Sequence, residues 1–220
     1  MKNIVISPSL MCADLLRLGD EIKALESAGA DYHHIDVMDG EFVPNIQIGT
    51  STVQAVRRAA KIPLDIHLMI RSPENKLGYF GIGKGDIVSV HYESTPHPGA
   101  ALSKIRELGA KALLAINPET PVSACEKFAH LLDGILIMTV HPGHAGQKLV
   151  PETLDKISAA RAFLGRSGKP EAVVEVDGNV SYENAVIMKK EGANMLVCGS
   201  SSLFNGSYPY AGAIKILKEV

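Results

Sequence analysis

At 220 residues and 46% apolar content, the chain has material for one sizeable core and falls short of two domains. A formal net charge of −2 with no basic run gives no sign of a nucleic-acid partner, and the longest apolar stretches are strand-sized, which excludes a membrane-spanning segment. The N-terminal stretch is interrupted by Pro8 and Asp14 too early to read as a secretory signal. Cys12, Cys125 and Cys198 are odd in number and form no CxxC pair, so free thiols in a cytoplasmic protein are the economical expectation.

In chain order, apolar runs of strand length fall at 4–7, 32–38, 64–69, 86–91, 112–117, 135–140, 172–177 and 195–199. Between them lie stretches with apolar residues three and four apart. In the first of these, Leu15, Leu18, Ile22 and Leu25 share one stripe and Gly29 follows as a stop. Residues 153–165 and 181–193 repeat the pattern. Three seams, SAGADY, ELGAKA and KEGANM, place a glycine just past a helix end, where a left-handed cap is required. Eight strands, each followed by a helix-sized segment, spell an α/β chain folded as a single (β/α)8 TIM barrel over 1–220. An open doubly wound sheet is disfavoured, because the first strand is not followed by a glycine-rich dinucleotide turn.

Active sites of such barrels lie at the carboxyl ends of the strands. His34 and Asp36 sit two apart and so share a strand face. His67 lies near the end of the third run and Asp177 closes the seventh. A carboxylate in a barrel mouth needs a partner. Two imidazoles and two carboxylates suit one divalent cation, Zn²⁺, Fe²⁺, Mn²⁺ or Co²⁺. The same two acids, Asp36 and Asp177, can exchange a proton with a substrate from either side. Asp65 and Glu175 share inward parity one layer deeper and are placed to orient the ligands. His33 should face the helices, His97 and His130 the solvent, and His91 the barrel mouth.

Three glycine-bearing loops follow the last three strands: HPGHAGQ at 141–147, DGN at 177–179 and GSSS at 199–202. Bare backbone N–H groups near Gly178, Gly199 and Ser200 are placed to hold a phosphate. The first loop, with Gly143 and Gly146, is expected to act as a lid. Met38, Met69 and Met138 have inward, rim-level parity and would form a soft pocket wall.

The stretches SPSLMCADLL (7–16), HIDVMDGEFVPNIQIG (34–49), DIHLMI (65–70), INPETP (116–121), MTVHPGHAGQKLVP (138–151), VEVDGNV (174–180) and GSSSLF (199–204) resemble the ribulose-phosphate 3-epimerase family along nearly the whole chain. The resemblance implies a barrel of the ribulose-phosphate-binding type and an enzyme that inverts C3 of a ketose phosphate. It implies a metal held by His34, Asp36, His67 and Asp177, with Asp36 and Asp177 as the proton carriers. Substrate contacts are implied for Ser9, His67, Gly143, His144, Ala145, Gly146, Asp177, Gly178, Asn179, Gly199 and Ser200. A homo-oligomer, dimer or hexamer, is also implied. His144 and Ala145 stand where the family usually has Phe and Gly, and Asn179 stands where it has a second Gly. Ala145, with SLMCADLL and SSLF, is similar to the allulose-6-phosphate 3-epimerase branch, whereas FVPNIQIG is closer to the pentulose branch. Ribulose 5-phosphate is therefore the first expected substrate and allulose 6-phosphate the second. A metal hydrolase and a non-catalytic barrel are the remaining alternatives. A decarboxylase of the orotidine-monophosphate group is disfavoured because Met38 occupies the position of its lysine.

Overall fold

The computed structural model describes residues 4–220, so the first three residues of the domain expected over 1–220 lie outside the described part. Eight parallel strands follow one another around the sheet: β1 (Val5–Pro8), β2 (His33–Asp39), β4 (Leu64–Met69), β5 (Ile87–His91), β6 (Lys111–Ile116), β7 (Gly134–Met138), β8 (Val173–Asp177) and β9 (Met195–Cys198). β9 pairs with β1, and a parallel bridge between Ser9 and His34 joins β1 to β2. Asp31 N–H also donates to the Ile6 carbonyl across that seam. The sheet is thus curled into a barrel, as the alternating pattern required. A two-residue strand, β3 (Ile46–Gln47), pairs antiparallel with the end of β2. It is too short to carry a hydrophobic period and was not expected from the sequence.

Among the described residues six α-helices wrap the sheet: α1 (Leu18–Ser27), α2 (Thr50–Ala59), α3 (Pro98–Glu107), α4 (Thr153–Arg166), α5 (Tyr182–Lys190) and α6 (Tyr210–Glu219). Two of the eight expected helices are replaced by 3-10 turns. Pro73–Asn75 and Leu77–Tyr79 stand between β4 and β5, and Val122–Phe128 between β6 and β7. The first segment contains Pro73 and Gly78, Gly81, Gly83 and Gly85, and the second follows Pro118 and Pro121. Those residues cost a regular helix more than its apolar face returns. Leu15 is likewise corrected: it lies in a 3-10 turn at Leu15–Arg17, half exposed, and α1 starts only at Leu18. Ile22 and Leu25 are buried as the stripe required.

The three seam glycines, Gly29, Gly109 and Gly192, all take positive φ. The following residues close the helix ends: Ala30 N–H reaches Leu25 O, Ala110 N–H reaches Ile105 O, and Ala193 N–H reaches Met188 O. Each cap turns the chain directly into the next strand. Outward side chains of the strands pack with Ile22, Leu25, Ile105, Ile157 and Leu217 of the helices in one continuous core. His33 points into this layer as expected, with Nε2 3.3 Å from Glu26 Oε1 on α1. His97 and His130 are exposed, and the three cysteines are free. Among the described residues no helix is long and apolar enough to cross a membrane.

Candidate active site

Strand register brings the chemistry to one rim. Asp36 on β2 lies beside His67 on β4, Met38 beside Met69, and Met138 on β7 beside Asp177 on β8. One ligand-type atom from each of His34, Asp36, His67 and Asp177 lies within 4.8 Å of all the others. His34 Nε2 is 3.2 Å from Asp36 Oδ1, and His67 Nδ1 is 3.3 Å from the same oxygen and 3.5 Å from Asp177 Oδ2. Both imidazoles are fully buried, while the Asp177 side chain keeps 19% of its surface.

The surrounding hydrogen bonds fix the orientation of these groups. Ser9 Oγ donates to Asp36 Oδ2 at 2.6 Å, and Ser7 Oγ donates to Asp65 Oδ2 at 2.8 Å. His34 Nδ1 is 2.6 Å from Asp65 Oδ2. Burial raises the Asp65 carboxyl, but the His34 charge outweighs it and holds Asp65 below the ordinary range. An ionised Asp65 only accepts, so His34 Nδ1 donates to it. Glu175 lies 3.6 Å from the same nitrogen, and burial together with the Asp65 charge pushes its carboxyl well above the usual range. Asp65 and Glu175 therefore occupy the deeper layer that their parity predicted.

With His34 Nδ1 donating inward, its Nε2 faces the Asp36 carboxylate. His67 Nδ1 likewise faces two carboxylates, and it is a buried polar atom without a hydrogen-bond partner among the described residues. Facing lone pairs on nitrogen and ionised oxygen repel unless a proton or a metal cation stands between them. Burial pulls the His34 pKa down, yet the charges of Asp65 and Asp36 overcome it and lift it well above 6.5. Burial is overcome in the same way at His67, which Asp177 and Asp36 raise. Asp36 is held far below the usual carboxylate range: burial opposes this, and the His34 charge prevails. The donor set, two imidazole nitrogens and two carboxylate oxygens with one orphaned nitrogen aimed inward, fits a divalent metal ion.

One cavity opens above these groups. It is lined by Ser9, Asp36, Met38, Met69, Met138 and Asp177, and by Gly143, His144, Ala145, Gly146, Gly178, Asn179, Gly199 and Ser200 from the three loops. The structure thus gathers the expected pocket and loop residues around one space, with His34 and His67 buried behind the two acids. Met38, Met69 and Met138 are buried in its wall. At Gly178, φ is +115° and an added Cβ would stand 2.6 Å from Val140 Cγ2, so only glycine lets the chain turn there against the wall. The loop 141–147 is pinned rather than loose. Asn45 Nδ2 donates to Gly143 O at 2.9 Å, Gln147 Nε2 to His144 O at 2.9 Å, and Asn179 Nδ2 to Gln147 O at 2.7 Å. Asn179 itself sits at φ +48°, a conformation open to asparagine.

Several lining residues were not singled out from the sequence. Met11 and Cys12 line the cavity from the 3-10 turn Leu10–Cys12, and Gln147 ties its loop. The Cys12 thiol is pushed up to about 11 by burial, which makes it a poor nucleophile. His91 is at the rim level but fully buried, with its Nε2 2.8 Å from His67 Nε2. Glu93, its neighbour but one, was missed. It lies past the end of β5 in the 3-10 turn Tyr92–Ser94, where strand alternation no longer places a side chain.

A curled, mostly parallel sheet with acids and imidazoles converging at its carboxyl rim defines a (β/α)8-barrel enzyme. The crystal structure of a 3-hexulose-6-phosphate synthase superposes with a TM-score of 0.66, covering 99% of each chain at 13% identity, a likeness of fold. The model of the ribulose-phosphate 3 epimerase family matches residues 5–204. The ribulose-phosphate 3-epimerase of Bacillus subtilis (strain 168) is 46% identical over 198 residues, covering 90% of this chain and 91% of that one. That of Synechocystis sp. is 47% identical over 215 residues, covering 97% and 92%. The chain belongs to the ribulose-phosphate 3-epimerase family and is an isomerase of the epimerase type.

Proposed function

We propose that this epimerase interconverts D-ribulose 5-phosphate and D-xylulose 5-phosphate by two-base proton transfer through an enediolate, with one divalent metal ion held by His34, Asp36, His67 and Asp177. The observation that carries the reading is the buried, unpartnered His67 Nδ1 held between Asp36 and Asp177, whose carboxylates both line the cavity. The metal, when bound, acts as a Lewis acid that makes the hydrogen next to the ketone acidic enough to remove.

The residues do the rest. One aspartate, ionised, takes the C3 hydrogen as a proton, and the electron pair left behind delocalises onto O2 as an enediolate. The other aspartate, protonated, returns a proton to C3 from the opposite side, and the configuration inverts. The two acids leave the turnover with their protonation exchanged, so each serves as acid in one direction and base in the other. Ser9, donating to Asp36 Oδ2, holds that carboxylate in one rotamer. The methionine wall presents a water-poor, polarizable surface to the intermediate. The phosphate lies at the loops of Gly178 with Asn179 and Gly199 with Ser200, closed over by Gly143–Gly146.

Ala145 lines the same cavity, and it favours one second reading: allulose 6-phosphate as the substrate, giving fructose 6-phosphate. A side-by-side assay of the two sugar phosphates with Zn²⁺, Fe²⁺, Mn²⁺ and Co²⁺ separates them. A higher kcat/KM on ribulose 5-phosphate upholds the first reading, and a higher value on allulose 6-phosphate replaces it. Solvent deuterium entering C3 distinguishes an epimerase from a metal hydrolase; release of inorganic phosphate without exchange would overturn both sugar readings.

A further inference from the structure

We infer that His91 and Glu93 form a positioning dyad that decides which nitrogen of His67 carries a proton, and so leaves Nδ1 bare toward the metal position. The inference rests on the metal reading above. His91 ends β5, and Glu93 follows in a 3-10 turn, Tyr92–Ser94. Glu93 Oε1 is fully engaged: Asn117 N–H donates to it at 2.9 Å, and the Thr120 hydroxyl donates as well. The loop that bears these donors is clamped from behind, with Lys156 Nζ donating to Asn117 O at 2.6 Å and to Pro118 O at 3.3 Å. That leaves Glu93 Oε2 to face His91 Nδ1, 3.4 Å away.

The proton positions then follow by elimination. A carboxylate oxygen only accepts, so His91 Nδ1 carries the hydrogen. A neutral imidazole has one N–H, so His91 Nε2 offers a lone pair. His67 Nε2 is 2.8 Å from it and supplies the hydrogen of that bond. The two ring planes differ by 23°, and the centroids are 4.9 Å apart against a nitrogen gap of 2.8 Å. Such rings meet edge to edge, as an in-plane hydrogen bond requires. With one hydrogen fixed on Nε2, any second proton on His67 sits on Nδ1 between Asp36 and Asp177, and a cation that displaces it would meet the bare Nδ1, the atom buried without a hydrogen-bond partner there. Both rings are fully buried, and Phe42 packs on His91 at 4.8 Å between centroids, so water does not compete for these positions. His34 is set in the same way from its own side by Asp65. The two histidines of the quartet are thus each oriented by a carboxylate, one directly and one through a second imidazole.

The test uses a substitution that keeps the shape and reverses the hydrogen bonds. In Glu93→Gln the backbone N–H of Asn117 holds the amide oxygen at the Oε1 position, so the NH₂ faces His91 Nδ1. His91 must then accept at Nδ1 and donate at Nε2, and His67 takes its proton on Nδ1, where it blocks the metal. His91→Leu removes the acceptor altogether. His91→Gln places an amide oxygen near the position of Nε2 and preserves it. Full-length metal-free protein is titrated with Co²⁺ at one fixed pH, with visible absorbance giving Kd and a thermal melt confirming the fold. Wild type is expected to bind one Co²⁺ per chain. Glu93→Gln and His91→Leu are expected to bind it about 10- to 100-fold more weakly, and His91→Gln within about threefold of wild type. If Glu93→Gln does not fold, the contrast between His91→Leu and His91→Gln carries the test. Wild-type affinity in both Glu93→Gln and His91→Leu, or equal weakening in His91→Leu and His91→Gln, would overturn the dyad. Absence of Co²⁺ uptake by wild type would instead overturn the metal reading on which it rests.

Discussion

Asp177→Asn separates the two halves of the proposed proton transfer. The substitution is isosteric, and the Asp177 side chain is partly exposed, so the fold should change by no more than about 1 kcal/mol. Asp36 is untouched: it keeps its Ser9 bond at 2.6 Å and its place 3.2 Å from His34 Nε2. What is lost is one proton carrier and the charge of one metal ligand, the second of which saturating metal offsets. Removing a general acid or base costs about 10²–10⁴ in rate, roughly 3–5 kcal/mol on the barrier. Epimerisation should fall by that factor at saturating metal. Exchange should not fall uniformly. The epimer whose C3–H faces Asp36 can still lose its proton and recover one from the same side, so in D₂O it should gain deuterium at C3 with retained configuration. The other epimer should neither exchange nor invert. Proton NMR of ribulose 5-phosphate and xylulose 5-phosphate in D₂O reads both quantities at once, and Asp36→Asn should give the mirror pattern. Epimerisation within tenfold of wild type, or equal exchange into both epimers, would refute the assignment of one acid to each face.

Four further outcomes are expected. Chelation should abolish turnover, and restoring a divalent ion at 100 times its Kd should raise stability by about 2.7 kcal/mol, read as a higher melting temperature; unchanged activity after chelation contradicts the metal site. Gly178→Ala adds a Cβ 2.6 Å from Val140 at positive φ. It should cost about 3 kcal/mol and lower Tm by about 6–12 °C; an unchanged melt would contradict the packing at that turn. Gly199→Val should raise KM for the sugar phosphate at least about tenfold with a smaller change in kcat, because it crowds the loop assigned to the phosphate; an unchanged KM counts against that loop. Finally, Glu93 titrates at about 2 in the fold against an ordinary 4.5: burial opposes the drop, and its bonds to His91 and Thr120 prevail. Its stabilisation is complete above pH 4.5 and fades as pH falls toward 2. Urea unfolding of metal-free protein at pH 5 and pH 3 should show wild type losing about 1 kcal/mol more than Glu93→Gln, after allowance for solvent screening; equal losses would place the acid sensitivity elsewhere.

Much of the site was legible in the chain because a strand alternates faces by two. His34 with Asp36, Asp65 with His67, and Glu175 with Asp177 declare their common face without reference to any partner. The glycine caps of α1, α3 and α5 were legible for a similar reason, since a left-handed residue is a local requirement. Where local rules conflict, the sequence misled. The stretches 71–86 and 118–133 have helical length, but their prolines and glycines made 3-10 turns cheaper, and Leu15 fell on a turn before its stripe began.

The sequence by itself therefore determined which side chains face the barrel interior and at what height. Only the tertiary structure decided which of them meet. The Ser9–Asp36 bond spans 27 positions and the His67–His91 bond 24, and each depends on how the curled sheet brings strands side by side. Proton placement on His67 needs a further partner, Glu93, fixed from the next strand by Asn117. Facing is a property of one strand's backbone, whereas contact and hydrogen-bond direction belong to pairs that only the closing of the barrel creates.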